Sequence, residues 1–330
     1  SFLRFPLYLM TLISLASVGY TFFVMDEVPI LKLFSGSLVS DLSLLRQEVH
    51  RDFPGNVYVR NILAITITPI LSYIAFSYWK LTNRKIDLLW FSCLFIASVL
   101  IVTYSLAKAP LILYLIGFIF LKVLIDGAIK SKYMFVTFSF LFLIMVISYI
   151  TVASVTDPSV LFSINRGIGG RVFLSQAAGT YLSFMYFPEQ HEFLGVSSFS
   201  NVLSSIFNID NNDRSARVVM SLFRPGLVNG GTAGVMNSLF IAEAWANFGL
   251  LGVLLAPIYV GIFIQALFVF FLTQKKTPMF IGLFAYFSYK IPITGGFNSF
   301  LYNPTMFLIA FIFLNLYLLS LLLKKQRVYK

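Results

Sequence analysis

The sequence is poor in the residues that build soluble domains, disulfide frameworks and metal centres. Only 11% of its 330 residues are charged, far below the roughly one quarter usual for soluble globular proteins. Cys93 is the sole cysteine, which excludes an internal disulfide and a thiolate metal site. The two histidines, His50 and His191, lie far apart in the sequence, so a zinc site built on histidine is not expected. We therefore expect neither a metal nor a cofactor.

Long apolar runs dominate what remains. The chain is 58% hydrophobic and its mean hydropathy is +0.87. The runs are continuous and long enough to cross a bilayer, which favours helices over a transmembrane β-barrel. The sequence predicts an all-α fold, a polytopic transmembrane helical bundle of about eight spans. Because the chain begins at Ser1 without Met, we allow for a preceding N-terminal piece with further spans. The predicted spans are residues 5–25, 61–79, 86–106, 109–126, 133–153, 250–273, 278–297 and 304–323.

Basic residues between the predicted spans indicate which side of the membrane each connection faces. Four short segments carry most of the lysine outside the long loops: residues 80–85, 130–132, 275–276 and 324–330. All four fall on one side if every span crosses, and the positive-inside rule makes that side the cytoplasm. This distribution explains most of the net charge of +11, and the basic residues form no long cluster, so nucleic acid is not an expected partner.

The opposite, extracytoplasmic side receives two long connections, residues 26–60 and 154–249. The second is the largest predicted non-spanning region, and loops of this length are usually functional. We therefore expect one integral membrane domain over residues 1–330. Its large extracytoplasmic loop, 154–249, is expected to contain short helices and the candidate active site.

Lysine is missing from residues 133–274, although arginine is present there. A guanidinium donates a planar fork of hydrogen bonds that fits carboxylate or phosphate oxygens, whereas an ammonium is a strongly hydrated point charge. The bias indicates recognition of an anionic group near the membrane surface. The alternative is that acidic residues of the same loop neutralise these arginines one by one. The candidate substrate-binding arginines are Arg166, Arg171, Arg214, Arg217 and Arg224.

Other polar residues on the predicted external side complete the candidate set. His191 follows a proline in PEQHEFLG; it is either a solvated loop histidine or a catalytic residue. Lys108 and Lys290 lie near external ends of predicted spans, where they either snorkel to the headgroups or add positive potential to a shared cavity. Asn237 is a further candidate for substrate binding.

Glu243 is the least expected residue of the apolar stretch GGTAGVMNSLFIAEAWANFGLLG, residues 230–252. A carboxylate there is costly unless it faces protein or a polar cavity. Glu243 and Asn247 are four apart, so they lie on one helical face. Glu243 is predicted either to act as a catalytic base or to hold an arginine in position, and we favour the second role.

The arginine-bearing loop, the stretch 230–252 that leads into a late span, and the turn LAKAPLILYL together resemble a known family. The chain resembles bacterial oligosaccharide repeat-unit polymerases of the O-antigen polymerase (Wzy) type, mainly over residues 100–270. Glutamate followed by Asn-Phe-Gly is the most characteristic element of the resemblance.

The resemblance implies a membrane glycosyltransferase of the bacterial inner membrane, active on the periplasmic or outer side. Such an enzyme polymerises undecaprenyl-pyrophosphate-linked repeat units into surface polysaccharide of the O-antigen or capsule type. Both glycan donor and acceptor are then lipid-linked partners in the bilayer, and a chain-length regulator protein is a further one. Pyrophosphate is already an acidic leaving group, so arginines can stabilise it without a metal. A glutamate or histidine would suffice as the base.

Two other activities fit the same residues. An O-antigen ligase would move glycan from the same donor onto a lipid A core and would use similar arginines. A flippase or transporter for a lipid-linked anion would also place arginines in a cavity, although such proteins usually show repeated halves and broken helices in matched positions, which this sequence does not. A purely structural scaffold fits the large loop least well.

Overall fold

The computed structural model of the chain is helical throughout its described part, which contains no β-strand. It describes residues 4–25, 27–29, 49, 53–105, 107–128, 130–153, 157–163, 167–170, 174–199, 205–206, 208, 212–230, 233–291 and 293–328. The longer helices are α1 (Arg4–Val24), α2 (Val59–Thr82), α3 (Lys85–Thr103), α4 (Lys108–Asp126), α5 (Ser131–Ala153), α6 (Ser175–Tyr186), α7 (Ser215–Phe223), α8 (Pro225–Asn229), α9 (Phe240–Thr273), α10 (Pro278–Lys290) and α11 (Pro304–Val328).

Six apolar segments of the described chain are long enough to cross a membrane, which confirms the prediction of an all-α transmembrane protein. Helix α5 provides a shorter apolar stretch, Ser131–Ile147. Helix α10 has 13 residues and is about 20 Å long at 1.5 Å per residue, less than the ~30 Å hydrocarbon core. The prediction of eight spans stays a prediction. The six segments are Arg4–Val24, Val59–Thr82, Lys85–Thr103, Ala109–Asp126, Phe240–Thr273 and Asn298–Leu319.

The chain forms two compact units. The first, which we call the helical unit, consists of Ser1–Ala153, Gln274–Lys290 and Pro304–Lys330. The second, the loop unit, consists of Ser154–Thr273 and Ile291–Asn303. The span predicted to continue to residue 297 stops as a helix at Lys290, because the following sequence IPITGG contains a proline and two glycines, which do not continue a helix.

Buried tyrosines organise the centre of the helical unit. The hydroxyl of Tyr73 in α2 donates a hydrogen bond to the carbonyl oxygen of Tyr114 in α4 at 2.7 Å, and the hydroxyls of Ser72 and Tyr114 lie 2.8 Å apart. A side chain at Gly117 would collide with the Tyr73 hydroxyl. A small residue therefore lets the two helices approach closely enough to satisfy their polar groups, as is common between membrane helices.

A buried arginine lies at the start of α2, whose first nine residues, Val59–Ile67, form a π-helix. The Arg60 guanidinium donates to the carbonyl oxygen of Val49 at 2.8 Å and to Oδ1 of Asn61 at 3.0 Å. It also lies 4.4 Å from the ring centroid of Phe53. Arg60 thus holds Val49 and Phe53, which precede α2, against the start of this helix. π-Helical turns are frequent at functional sites.

The loop unit is built around a sharp break in α9. Gly249 has φ +57° and ψ −138°, so the segments before and after it are separate helices. The break frees the carbonyl groups of Ala246 and Asn247, which accept hydrogen bonds of 2.9 Å from the backbone N–H groups of Leu194 and Gly195. The short first segment, residues 240–248, is thereby held against the chain that follows α6. Glu243 and Asn247 both lie on this segment.

Candidate functional site

Arg214 and Glu243 form a bidentate ion pair in the loop unit. Nε of Arg214 donates to Oε1 of Glu243, and Nη2 donates to Oε2, each at 2.8 Å. Arg214 is the residue before α7 and has extended backbone angles, φ −64° and ψ 149°. Two parallel N–H···O bonds fix a guanidinium in orientation as well as in position. The predicted role of Glu243 in holding an arginine therefore has a defined geometry.

The segment between α10 and α11 provides further hydrogen-bond partners for this ion pair. The backbone N–H of Asn298 donates to Oε2 of Glu243 at 2.7 Å. Nη2 of Arg214 lies 3.1 Å from the carbonyl oxygen of Gly295, and Nη1 lies 3.3 Å from Oγ of Ser299. Gly296 has φ +97°, and a side chain there would collide with Oε2 of Glu243. The backbone can approach the ion pair this closely because residue 296 is glycine.

Three buried polar side chains form a second layer beneath the pair. Nδ2 of Asn247 donates to Oδ1 of Asn298 at 2.8 Å, and Oδ1 of Asn247 accepts from Oγ of Ser198 at 2.9 Å. Nδ2 of Asn298 donates to the carbonyl oxygen of Ser198 at 2.8 Å. Asn298 therefore joins Glu243 through its backbone and Asn247 through its side chain. Fully paired buried networks of this kind rigidify a site.

The residues of this network differ in burial, and burial affects the pKa of Arg214. Glu243 is 2% exposed and Asn247 1% exposed, whereas the side chain of Arg214 is 41% exposed. Burial disfavours the charged form of Arg214, but the hydrogen bonds and negative charge of Glu243 outweigh this and raise the pKa of Arg214 above its ordinary value. The guanidinium is therefore charged at any physiological pH.

The exposed edge of Arg214 is the part of the site that can meet a ligand. Five N–H bonds extend from a guanidinium, and Glu243, Gly295 and Ser299 account for the acceptors around it. Nη1 makes one contact with a described residue, the 3.3 Å approach to Ser299, so one of its N–H bonds is left for another acceptor. The site thus offers an immobilised cationic donor beside a serine hydroxyl.

The other predicted arginines do not join this pair. Arg217 forms an ion pair of 3.1 Å with Asp213, and the two side chains are 64% and 56% exposed. The Arg224 guanidinium lies 5.6 Å from the ring centroid of Phe223 and is exposed. Arg166 and Arg171 lie outside the described residues. Arg214 is therefore the one described loop arginine that the structure brings to Glu243.

His191 and Asn237 lie elsewhere in the loop unit. Nδ1 of His191 is 2.8 Å from the carbonyl oxygen of Glu192, and its ring centroid is 5.3 Å from that of Phe187. The side chain of Asn237 is exposed, and its backbone carbonyl lies so close to Gly179 that a side chain there would collide with it. Among the described residues, neither contacts Arg214 or Glu243. Asn237 fits a structural role, in which its backbone packs against α6.

The two predicted lysines belong to the helical unit. Lys108 is the first residue of α4. Lys290 is the last residue of α10, and its Nζ lies 6.0 Å from the ring centroids of both Tyr286 and Tyr289. The position of the Lys290 amine at a helix end, near two aromatic rings, fits a side chain that snorkels to the headgroups.

Sequence reasoning missed the residues contributed by the segment 295–299. Gly295, Gly296, Asn298 and Ser299 stand at the end of a stretch that its hydropathy assigns to a span. The available signal was the sequence GGFNS, in which two glycines and two hydrogen-bonding side chains interrupt apolar residues. A glycine pair followed by polar residues at membrane depth is unusual enough to have indicated a turn that lines a site.

Comparisons with protein-family models, with curated proteins and with solved structures find no match to this chain. A functional assignment therefore depends on the contacts of Arg214, Glu243 and Asn298 and on the membrane-spanning character of the chain.

Proposed function

We propose that the protein is a membrane glycosyltransferase that polymerises undecaprenyl-pyrophosphate-linked repeat units on the extracytoplasmic side of a bacterial inner membrane. One observation carries the proposal: a buried glutamate orients Arg214 so that an exposed N–H edge remains for an anion. The large extracytoplasmic loop and the resemblance to O-antigen polymerases are part of the same proposal.

The chemistry of the transfer matches a fixed guanidinium. When the acceptor sugar hydroxyl attacks the anomeric carbon, the bond to the lipid pyrophosphate breaks and negative charge grows on the leaving oxygen. A donor that is already in position stabilises this charge without reorganising, and no metal is required. The Ser299 hydroxyl accepts from Arg214 within 3.3 Å and donates to the carbonyl oxygen of Gly295 at 3.4 Å, so it helps to fix the guanidinium.

Glu243 acts in this proposal as a positioning residue. Its oxygens already accept three hydrogen bonds, from Arg214 and from the N–H of Asn298, and the residue is only 2% exposed, so it is poorly placed to take a proton from the acceptor. His191 remains the candidate general base, because an imidazole with Nδ1–H bonded to a carbonyl oxygen keeps Nε2 as an acceptor.

The test uses purified full-length protein and lipid-linked repeat units, with product length read on a gel. We expect a ladder of longer lipid-linked glycans. Transfer only to a lipid A core would assign the ligase activity instead, and movement of unchanged lipid across a vesicle would assign a flippase. If the wild-type protein gave none of these with substrate that a known polymerase accepts, the proposal would be wrong.

Matched arginine variants test the role of Arg214. Arg214→Lys keeps the charge but loses the bidentate geometry, and we expect roughly a 10²-fold loss of polymerisation, as for removal of one oriented donor at a developing charge. Arg217→Lys should reduce polymerisation less than about fivefold, because an exposed ion pair contributes at most about 1 kcal/mol. Equal losses in the two variants, with equal amounts of inserted protein, would contradict the assignment.

A further inference from the structure

The segment 214–229, which we call the amphipathic arm, is partly buried in α7 and exposed from residue 221 onwards. Ser215, Val218 and Val219 of α7 are buried, and the two valines belong to a cluster with Tyr186 and Phe187. Residues 221–229 are all exposed, and α8 has no buried residue. The exposed residues of the arm include both arginine and apolar side chains: Arg217, Leu222, Phe223, Arg224 and Val228.

This mixture of exposed side chains differs from that of a water-exposed loop. Phe223 is 44% exposed and Val228 38% exposed, although both would be more stable out of water. Arg224 lies between them in sequence, with its guanidinium over the Phe223 ring. Arginine beside exposed aromatic and aliphatic side chains on short helices is typical of segments that lie in a membrane interface.

The loop unit also contains its own membrane-spanning helix. Past the break at Gly249, α9 exposes Leu250, Leu254 and Ile258, each more than half accessible, as expected for a surface that faces lipid. The bilayer is therefore within reach of the same compact unit that contains the arm.

The positive charge of the arm indicates that it contacts the headgroup region of the bilayer. Arg224 has no ion-pair partner among the described carboxylates, and Arg217 shares only one exposed contact with Asp213. Lipid phosphates at the membrane surface supply the missing acceptors, in a geometry that suits guanidinium. Basic residues near an anionic membrane surface are attracted to it.

We propose that the amphipathic arm binds the headgroup region of an anionic phospholipid bilayer. Arg217 and Arg224 donate hydrogen bonds to lipid phosphates, and Phe223 and Val228 enter the boundary between headgroups and acyl chains. Arg214 stands at the first residue of the arm, so this contact sets its depth relative to the membrane surface. The inference does not depend on the proposed glycosyltransferase activity, since it requires only a bilayer.

Spin labels on the full-length protein test the depth of the arm. Cys93→Ser removes the native thiol, and single cysteines are then placed at Phe223 or Val228. Glu189→Cys serves as the aqueous reference and Leu254→Cys as the lipid reference, since both positions are exposed. In vesicles of phosphatidylglycerol and phosphatidylethanolamine, we expect both arm labels to collide with oxygen more than with a water-soluble nickel chelate. The Glu189 label should show the reverse.

Two results would overturn the proposal. Arm labels that match the Glu189 label would place the arm in water. Labels shielded from both reagents would place a second copy of the chain over the arm. A third comparison isolates the charge: in neutral phosphatidylcholine vesicles, or with Arg217→Gln and Arg224→Gln combined, chelate collisions at Val228 should rise towards the Glu189 value. No change in phosphatidylcholine, which also carries a phosphate, would refute the requirement for a net negative surface. No change in the double variant would refute the arginine contacts.

Discussion

Glu243 shows how one carboxylate is retained in an apolar chain. Its two oxygens accept three hydrogen bonds, from Nε and Nη2 of Arg214 and from the N–H of Asn298. A buried ion pair is weak evidence for stability, because desolvation opposes the attraction of the charges. The pair is better understood as a device that orients Arg214, and its energetic signature is the coupling between the two residues.

A double-mutant cycle measures that coupling. Arg214→Ala leaves Glu243 buried without a counter-charge, and we expect it to lower the free energy of unfolding by about 3 kcal/mol, at the low end for buried pairs because Arg214 is partly exposed. The double variant Arg214→Ala/Glu243→Ala should lose clearly less than the sum of the single variants. Unfolding in detergent micelles, followed by tryptophan fluorescence, gives the four values.

The exposed ion pair between Asp213 and Arg217 is the matched control. Asp213→Ala, Arg217→Ala and their combination should each change stability by less than about 1 kcal/mol. Additive effects at Arg214 and Glu243, no larger than those at Asp213 and Arg217, would show that the buried pair has no orienting role.

At this scale the sequence predicted part of the site. The four-residue spacing of Glu243 and Asn247 correctly indicated a shared face, since both meet Asn298. The three-residue spacing of Arg214 and Arg217 would place both on one face of a helix, but Arg214 precedes α7 with extended backbone angles. Asn298 could not be paired with Glu243 from a single sequence, because no periodicity connects positions 55 residues apart.

Among the secondary-structure elements, the break in α9 is the feature that positions Glu243 and Asn247. The predicted span begins at residue 250, but the sequence is apolar from residue 240 onwards, and hydropathy does not show the change of direction between the two segments. Gly249 adopts φ +57°, where side chains are strongly disfavoured, and Gly252 packs against the carbonyl of Ala244 so closely that a side chain would collide. The sequence NFGLLG therefore turns the chain and separates the segment that carries Glu243 from the spanning helix.

Substitutions of glycine within α9 test this break. A side chain at Gly249 would lie 2.9 Å from Cζ of Phe193 and would occupy a strained conformation, so Gly249→Ala should lower stability by about 1–3 kcal/mol and reduce polymerisation. Gly261→Ala is the control, because nothing lies within 4 Å of a side chain there and alanine favours a helix by about 0.5–1 kcal/mol. If both variants behaved alike in thermal unfolding, the break would have no structural importance.

At the scale of the whole molecule, composition determined the class of the protein and the distribution of basic residues predicts its orientation. Apolar length alone identified all six of the segments that the structure confirms as long enough to span. It also assigned residues 291–297 to a span, whereas Ile291–Asn303 belongs to the loop unit. Hydropathy averages over a window, so a turn of two glycines flanked by isoleucine and phenylalanine is not distinguished from the end of a helix.

Orientation is the prediction on which the proposed activity depends most, because lipid-linked repeat units are polymerised outside the cytoplasm. The part of α9 after Gly249, residues 250–273, is about 36 Å long at 1.5 Å per residue, enough for the ~30 Å hydrocarbon core. If this helix crosses the membrane, its two ends face opposite sides, and the positive-inside rule predicts that Lys275 and Lys276 mark the cytoplasmic one. In a Cys93→Ser background, a membrane-impermeant maleimide should label Glu189→Cys from outside. Lys276→Cys should be labelled only after permeabilisation. The reverse pattern would place Arg214 on the cytoplasmic side, where a fixed guanidinium could not serve extracytoplasmic polymerisation, and a different anionic substrate would have to be sought.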